Sequence, residues 1–529
     1  MLKVKGITGE QQTAVDTFLQ KHDLHIDGEI KVIAHAKNGW MLERDDGGDY
    51  VVYIGKPVHL FRVLSILGGQ AIPIPKRISE DCSFNSLALS IDVSQGNCVL
   101  RVETIRDLIL YLAAMGYDRL FLYSEDSYPL GKYPYFGHMR AQYTIEQLSE
   151  IDDFASSFGI ELIPCLQTLA HFTSVLRWQP FKNMAEDAAT LLVGADETYD
   201  FIEEMVASAS RIFRSRYIHI GCDEAWNLGL GNYFFKHGLR PKSYILKEHL
   251  DRVLGIVKKY GLTAMMWSDM FFRLETPQVR EEYCVPPTGH FSEATIKSVP
   301  RDVQLVYWEY IRDEESVKER LNLHGELTDN LAVAGHIRNN RSVGSNYSLT
   351  FRATGDMMRA CKDYGIPDVI ATIWGDDAPE SNIYAALLGM QLFAEYQFQK
   401  DPDKDSVYSA FRRCVQAEPE DFFALTFFDE IPQVHGGVGN QNAHNPSRWL
   451  LWQDPLLGLF DANISGLALD EHYREQAVRM RSAAERNTRF RDIFRYYQLA
   501  AEVLSKKATL GLELYDAYET SNMSTLSEL

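Results

Sequence analysis

Short apolar runs of strand length alternate with amphipathic stretches of helical period through most of the chain. The runs lie at 86–93, 119–123, 161–166, 217–220, 263–267, 303–308, 331–334 and 369–374. Between them, residues 102–115, 144–158 and 242–260 repeat apolar positions every three to four residues, and Gly116, Gly159 and Gly261 supply the stops. Helix, glycine, apolar strand is the αβ half of a repeating unit, and its spacing of about 40 residues suits a (β/α)8 barrel with loop insertions. An open doubly wound sheet shares the alternation, but eight units with polar or aromatic residues at nearly every strand end favour the barrel. The expected fold is therefore α/β: a TIM barrel over 81–400, a small N-terminal α+β domain over 1–80 and a helical C-terminal region over 401–529.

The N-terminal domain reads as a helix at 10–20 capped by Thr8, strands at 31–36, 39–44 and 49–54 with a turn at 46–48, and a helix at 58–67 before Gly68 and Gly69. Pro73 and Pro75 mark a linker. Beyond 400 the pattern predicts helices at 407–417, 419–429 and 472–515, a Gly-rich loop at 435–440 and a frayed end at 520–529. The segment at 445–460, with Trp449 and Trp452, suits either a homodimer interface or a buttress for the barrel.

Composition narrows the function classes. A net charge of −20 argues against nucleic acid, which needs a basic footprint, and against anionic membranes. No apolar run reaches spanning length, and the N-terminus lacks a signal-peptide core. Seven cysteines, odd in number and without a CxxC pair, read as reduced thiols. These features predict a cytoplasmic protein.

Candidate chemistry concentrates at the strand ends, where barrels of this kind build their sites. In order they offer Asp92, Glu125 with Asp126, His171, Asp223 with Glu224, Trp267 with Asp269, Trp308 with Tyr310, and Trp374 with Asp376 and Asp377. The centre is 217–226, Tyr-Ile-His-Ile-Gly-Cys-Asp-Glu-Ala-Trp. Strand alternation puts His219, Gly221 and Asp223 on one face and sends Glu224 elsewhere, so the two carboxylates can take different roles. Alone, such a pair is more readily a surface turn on an acidic protein. Three tryptophans at three strand ends, with carboxylates beside them, suit a pyranose, whose C–H faces stack and whose hydroxyls donate. A metal held by His171, His219 and Asp223 is disfavoured because the histidine-rich pattern of barrel metallohydrolases is missing. No metal and no cofactor are expected.

His219-Ile-Gly-Cys-Asp-Glu resembles the His-x-Gly-x-Asp-Glu signature of family 20 glycoside hydrolases, the β-N-acetylhexosaminidases. The resemblance runs through most of 85–400, including Met266-Trp-Ser-Asp269 and Thr372-Ile-Trp-Gly-Asp376, and the helical tail is similar to an intracellular bacterial branch with hexosaminidase D-like members. It implies exo-acting, retaining removal of terminal β-linked GlcNAc or GalNAc, with the substrate's 2-acetamido oxygen as nucleophile and an oxazolinium intermediate. Glu224 would be the general acid and base, with a raised pKa, and Asp223 would orient the acetamido N–H. Trp267, Trp308 and Trp374 would enclose the sugar, and Tyr310, with Tyr307 as second choice, would reach the acetamido oxygen. Asp269 is assigned to the substrate site, Asp376 would hold a 4- or 6-hydroxyl, and Glu125 or Asp126, with His171, would tune the acid.

One departure bears on specificity. The first strand carries no arginine for the 3- and 4-hydroxyls, leaving Asp92 or Gln95 as substitutes and the choice between GlcNAc and GalNAc open. After strand seven, Asn346 or Tyr347 stands where some members supply a tyrosine. Two other readings remain: a barrel glycosidase pairing Glu224 with Asp269 or Asp376, and a sugar-binding module without chemistry. The expected partner is a small oligosaccharide or glycoconjugate, and a homodimer is compatible with the tail.

Overall fold

The computed structural model describes residues 2–529 apart from 27, 36, 45–48, 69–75, 278–281, 377–379 and 434–445. The expected turn at 46–48, Gly69, Pro73, Pro75, Asp377 and the Gly-rich loop at 435–440 lie outside the described residues. Two compact units emerge: 1–336 with 355–372 and 396–401, and 337–354 with 373–395 and 402–529.

In the first unit the chain opens with a five-stranded sheet in the order Lys3–Lys5, Glu29–Ala34, Tyr50–Ile54, Gly39–Arg44, Arg77–Asp81. The two outer strands escaped the hydrophobic pattern because they are short and half polar. Helix Gly9–Lys21 starts at a capping box in which Thr8 accepts the Gln11 N–H and Gln11 answers to the Thr8 backbone. Helix His59–Gly68 carries Arg62, which is fully buried yet paired with Glu80 Oε1 at 3.0 Å and with the Met115 carbonyl at 3.0 Å. That carbonyl ends the first barrel helix, Val102–Met115, so one cation ties the sheet domain to the barrel.

The barrel is closed. Its strands, all parallel where paired, are Ser86–Asp92, Arg119–Ser124, Glu161–Leu166, Tyr217–His219, Thr263–Trp267, Val303–Trp308, Leu331–His336 and Asp368–Ile373, which returns to the first. The open-sheet alternative is thereby excluded. The first and seventh strands are buried at every residue, as expected of a parallel sheet covered on both faces. Helix Val102–Met115 stops where predicted, at Gly116 with φ +92°, a left-handed cap that glycine adopts without a Cβ clash. The N-terminal ends of the strands are closed by polar groups. Asp368 accepts from Gln304 Nε2 at 2.9 Å and from Ser86 Oγ, and Arg119 Nε reaches Glu161 at 3.2 Å. This leaves the C-terminal ends for chemistry.

The second unit is helical. Leu469–Arg486 and Arg491–Lys507 pack along each other, and buried Asp421 holds Arg486 at 2.6 Å and Asn487 Nδ2 at 2.8 Å. The helix expected at 419–429 breaks into Pro419–Phe423 and a 3-10 turn, Ala424–Phe428. The frayed end expected at 520–529 is instead a helix, Met523–Glu528, capped by the Asn522 side chain. Among the described residues, no helix is long and apolar enough to cross a membrane.

Candidate active site

Strand four is the shortest in the barrel, and the chain beyond it departs from simple alternation. The ladder continues for two residues, through Ile220 N–H to the Met265 carbonyl (2.8 Å) and Trp267 N–H to the Gly221 carbonyl (3.1 Å). Then Gly221 (φ +67°), Cys222 (+68°) and Glu224 (+51°) all enter the left-handed region. The expected shared face of His219, Gly221 and Asp223 therefore ends at His219. Gly221 is required twice over, by its φ and because a Cβ there would overlap Gln167 Oε1. Two non-glycine residues at positive φ in one turn store strain of order 1–3 kcal/mol each, which the surrounding contacts must hold.

Those contacts converge on the two carboxylates. Asp223 Oδ1 accepts from Gln167 Nε2 at 2.8 Å, and Oδ2 from His171 Nε2 at 3.1 Å. His171, itself at φ +64°, also lies 3.5 Å from Glu224 Oε2, with its Nδ1 3.7 Å from Glu125 Oε1. Burial works against the imidazolium, but Asp223, Glu125 and Glu224 outweigh it and raise the imidazole to about 10. Burial also opposes ionisation of Asp223, yet the His171 charge and the bonds from His171 and Gln167 hold it below the usual carboxylate range. Glu224 shifts the other way, to about 7, first by burial and then by the Asp223 charge. Adjacent residues on one turn thus favour opposite protonation states near neutrality, as a fixed carboxylate beside a proton donor requires.

The Glu224 backbone is held as well. Its N–H donates to Asp269 Oδ2 at 3.0 Å. Asp269 is fully buried, so the expectation that it touches substrate is corrected: it positions the turn carrying Glu224. Burial and the Asp223 charge push its carboxyl upward. Arg273, one turn along the same helix (Asp269–Glu275), lies 3.6 Å from Asp269 and 3.1 Å from Glu282. Its guanidinium sits 3.0 Å from the centre of the Trp226 ring.

Other expectations need correction too. Asp126 is fully buried, pairs with Arg140 at 2.8 Å and accepts from Ser174 at 2.7 Å, so it braces a loop and Glu125 alone faces His171. Glu125 is raised to about 7, mainly by burial, and accepts from Gln95 Nε2 at 3.1 Å. Asp92 is buried, with Oδ1 accepting the backbone N–H groups of Ser94 (2.9 Å) and Gln95 (3.0 Å), so it shapes the turn after strand one rather than presenting an open acceptor for a hydroxyl. Trp267 is 2% exposed and packs 4.4 Å from the His219 ring, so it presents no open wall.

Trp308 is half-buried, its ring 5.0 Å from Tyr310, which packs in turn 4.9 Å from His336. Tyr307 is fully buried with its hydroxyl on Glu309, which removes it as second choice. Trp374 and Asp376 follow strand eight within the second unit, where Asp376 Oδ2 accepts from Asn340 Nδ2 at 3.2 Å and lies 3.4 Å from Arg341. Asn346 and Tyr347 are buried in that unit, with the Tyr347 hydroxyl donating to the Ala385 carbonyl, so neither offers a group to a ligand.

Sequence reasoning missed Gln167 and Arg273. Gln167 had a signal, since it is the first residue after strand three. Arg273 had only its i+4 spacing from Asp269. His171, Asp223 and Glu224 bring potential metal-ligating atoms within 4.8 Å of one another.

Comparison with known proteins agrees with this architecture. The profile described as "Glycosyl hydrolase family 20, catalytic domain" matches 123–322, and that described as "Glycoside Hydrolase 20C C-terminal domain" matches 420–529. Hexosaminidase D from Bos taurus is 25% identical over 240 residues, covering 43% of this chain and 62% of the relative, so the chain spans less than two thirds of that relative's length. Among solved structures, the exo β-N-acetylglucosaminidase from Vibrio harveyi in complex with N-acetylglucosamine has a TM-score of 0.59 at 12% identity, covering 80% of this chain and 74% of that one. A chitobiase from Flavobacterium johnsoniae gives 0.59 at 13%, covering 100% and 90%, a likeness of fold. A closed parallel barrel bearing an Asp-Glu turn at its fourth strand, matched by a hydrolase catalytic profile, defines a glycoside hydrolase. Within that class, the chain belongs to glycoside hydrolase family 20.

Proposed function

We propose that the protein is an exo-acting, retaining β-N-acetylhexosaminidase that removes terminal β-linked GlcNAc or GalNAc from a small oligosaccharide or glycoconjugate by substrate-assisted catalysis. The carrying observation is the opposed protonation of the neighbouring carboxylates: Asp223 held ionised by His171 and Gln167, Glu224 raised to about 7. In this reading the acetamido oxygen attacks the anomeric carbon as the glycosidic C–O bond breaks, and Glu224 gives its proton to the departing oxygen. Asp223 accepts the acetamido N–H and stabilises the positive charge of the oxazolinium. Glu224, now a carboxylate, takes a proton from water as it opens that ring. An intramolecular nucleophile held in place gains effective molarity worth about 7–11 kcal/mol of barrier. Trp308 and Tyr310 are the proposed sugar contacts, Trp267 the floor, and Glu125 acts through His171.

A mechanism pairing Glu224 with Asp269 is disfavoured by the burial of Asp269 and its bond to the Glu224 backbone. The test is turnover of matched aryl β-GlcNAc, β-GalNAc and β-glucoside substrates by wild type and Glu224→Gln. Activity on the two acetamido sugars alone, with loss of about 10²- to 10⁴-fold in the variant, is expected. Hydrolysis of the glucoside, or an active variant, refutes the reading. Seven free thiols favour the cytoplasm, and homodimerisation through the segment around Trp449 and Trp452, which are 45% and 68% exposed, belongs to the same proposal.

A further inference from the structure

The segment leaving Glu224 combines cationic charge with a run of exposed apolar side chains. Residues 226–244 contain Lys236, Arg240 and Lys242 and no Asp or Glu, in a protein of net charge −20. The same stretch exposes Trp226 (37%), Leu230 (54%), Phe234 (44%), Phe235 (81%), Leu239 (74%) and Tyr244 (59%). Scattered apolar residues on a surface need no explanation, but six in nineteen positions with only cations among the charges do.

The segment is also built to hold its shape. Buried Glu186 accepts the backbone N–H groups of Gly231 (2.8 Å) and Tyr233 (2.6 Å). Asn227 Nδ2 donates to Asp187 at 2.9 Å, Asn232 Nδ2 to the Ala185 carbonyl at 2.7 Å, and Lys242 Nζ to the Trp226 carbonyl at 2.9 Å. Its first ring is tied to the acid, because Trp226 lies on Arg273, Arg273 lies beside Asp269, and Asp269 holds the Glu224 N–H.

We propose that residues 226–244 form the leaving-group surface and select β-N-acetylhexosaminides whose aglycone is both apolar and anionic. The inference rests on the glycosidase reading above. Glu224 protonates the glycosidic oxygen, so the aglycone departs on the side of Glu224, and Trp226 stands two residues on. One face of Trp226 is taken by Arg273, and the ring remains accessible to stack an aglycone. Lys236 and Arg240, both exposed, supply the charge that an apolar anion would meet.

The probes are β-GlcNAc glycosides of a naphthol sulfonate and of its neutral sulfonamide, matched in leaving-group acidity. At low salt the sulfonate is expected to have the higher kcat/KM by about tenfold, the product of two or three exposed ion pairs each worth a factor of about two or three. The ratio should fall towards one at about 0.5 M salt, where screening is strong, and in Lys236→Gln/Arg240→Gln. Trp226→Ala should raise KM for both naphthyl glycosides more than it lowers kcat, a split that general misfolding would not produce. Equal kcat/KM for the two probes in wild type, or a preference unaltered by the double substitution, overturns the inference while leaving the glycosidase reading intact. Equal turnover together with binding to phosphatidylserine-containing vesicles overturns it in favour of membrane docking. Failure to hydrolyse even a simple aryl β-GlcNAc overturns the glycosidase reading and this inference with it.

Discussion

Replacing Asp223 with Asn tests the opposed-protonation argument where it is most exposed. The substitution keeps the size of the side chain and removes its charge. Asp223 lies 3.1 Å from the His171 Nε2, is one of the charges that raise His171, and is second only to burial in raising Glu224. On the substrate side, a hydrogen bond to a charged acceptor is worth about 1.5–3 kcal/mol. A positive charge developing about 4 Å from a carboxylate adds about 4 kcal/mol at an effective dielectric near 20. Together these would place the loss near five decades, and replacement by a neutral acceptor returns part of it, so kcat/KM on an aryl β-GlcNAc should fall about 10²- to 10⁴-fold. The pH profile makes the second readout. With Glu224 as the proposed general acid, wild-type kcat/KM should decline as pH rises through about 7. Without the Asp223 charge Glu224 loses its main like-charge neighbour, so that limb should move to lower pH. Residual activity within fivefold of wild type, or an alkaline limb that stays in place, would refute the reasoning.

Three further outcomes rest on the same contacts. Asp269→Ala leaves the Glu224 N–H without its acceptor, a loss of about 1–3 kcal/mol, whereas Asp269→Asn keeps an acceptor oxygen; steady-state kinetics should show the alanine variant impaired about tenfold or more relative to asparagine, and equal activity of the two would count against a positioning role. His171 has a folded pKa of about 10 against 6.5 in the unfolded chain, so its stabilisation is complete below 6.5 and is lost as pH rises through about 10; urea titrations of His171→Gln should therefore show a deficit that is largest near pH 6 and vanishes in strong base. Arg62→Ala takes the guanidinium from Glu80, which keeps the Trp40 indole N–H, and from the Met115 carbonyl, at a cost of about 3 kcal/mol, visible as a lower urea midpoint with little change in KM.

The barrel was legible because most of its strands are apolar runs of five to seven residues punctuated by glycine stops. Strands three, five and six fall at Glu161–Leu166, Thr263–Trp267 and Val303–Trp308 as read, and helix Val102–Met115 ends at Gly116. The Asp223-Glu224 turn was legible in identity and not in geometry. Gly221 announces a left-handed residue, but nothing in Cys222 or Glu224 does, since their φ values are imposed by tertiary contacts. The same limit explains the side chains assigned too generously to the substrate. Asp126, Asp269 and Trp267 all stand at strand ends, where position along the chain marks a functional rim. Whether a side chain faces the lumen, the neighbouring loop or its own helix depends on partners remote in sequence: Arg140 and Ser174 for Asp126, the Glu224 backbone for Asp269, His219 for Trp267. Gln167 was the converse, a strand-end residue passed over because an amide lacks the chemical signature of a histidine or a carboxylate.

Burial and the charges around His171 together explain why Glu224 can be poised near neutrality. One imidazolium faces Asp223, Glu224 and Glu125 at 3.1, 3.5 and 3.7 Å. A half-buried cation can neutralise one carboxylate, and each further ionisation leaves uncompensated negative charge in a partly desolvated site. Asp223 takes the neutralisation because it alone adds hydrogen bonds from both His171 and Gln167. Glu224 and Glu125 both rise to about 7, burial being the largest cause for each, with the Asp223 charge adding to it at Glu224 and the Asp92 charge at Glu125. The raised Glu224 is therefore a consequence first of burial and then of the adjacent Asp223 charge, while the hydrogen bonds from His171 and Gln167 keep Asp223 the member that ionises.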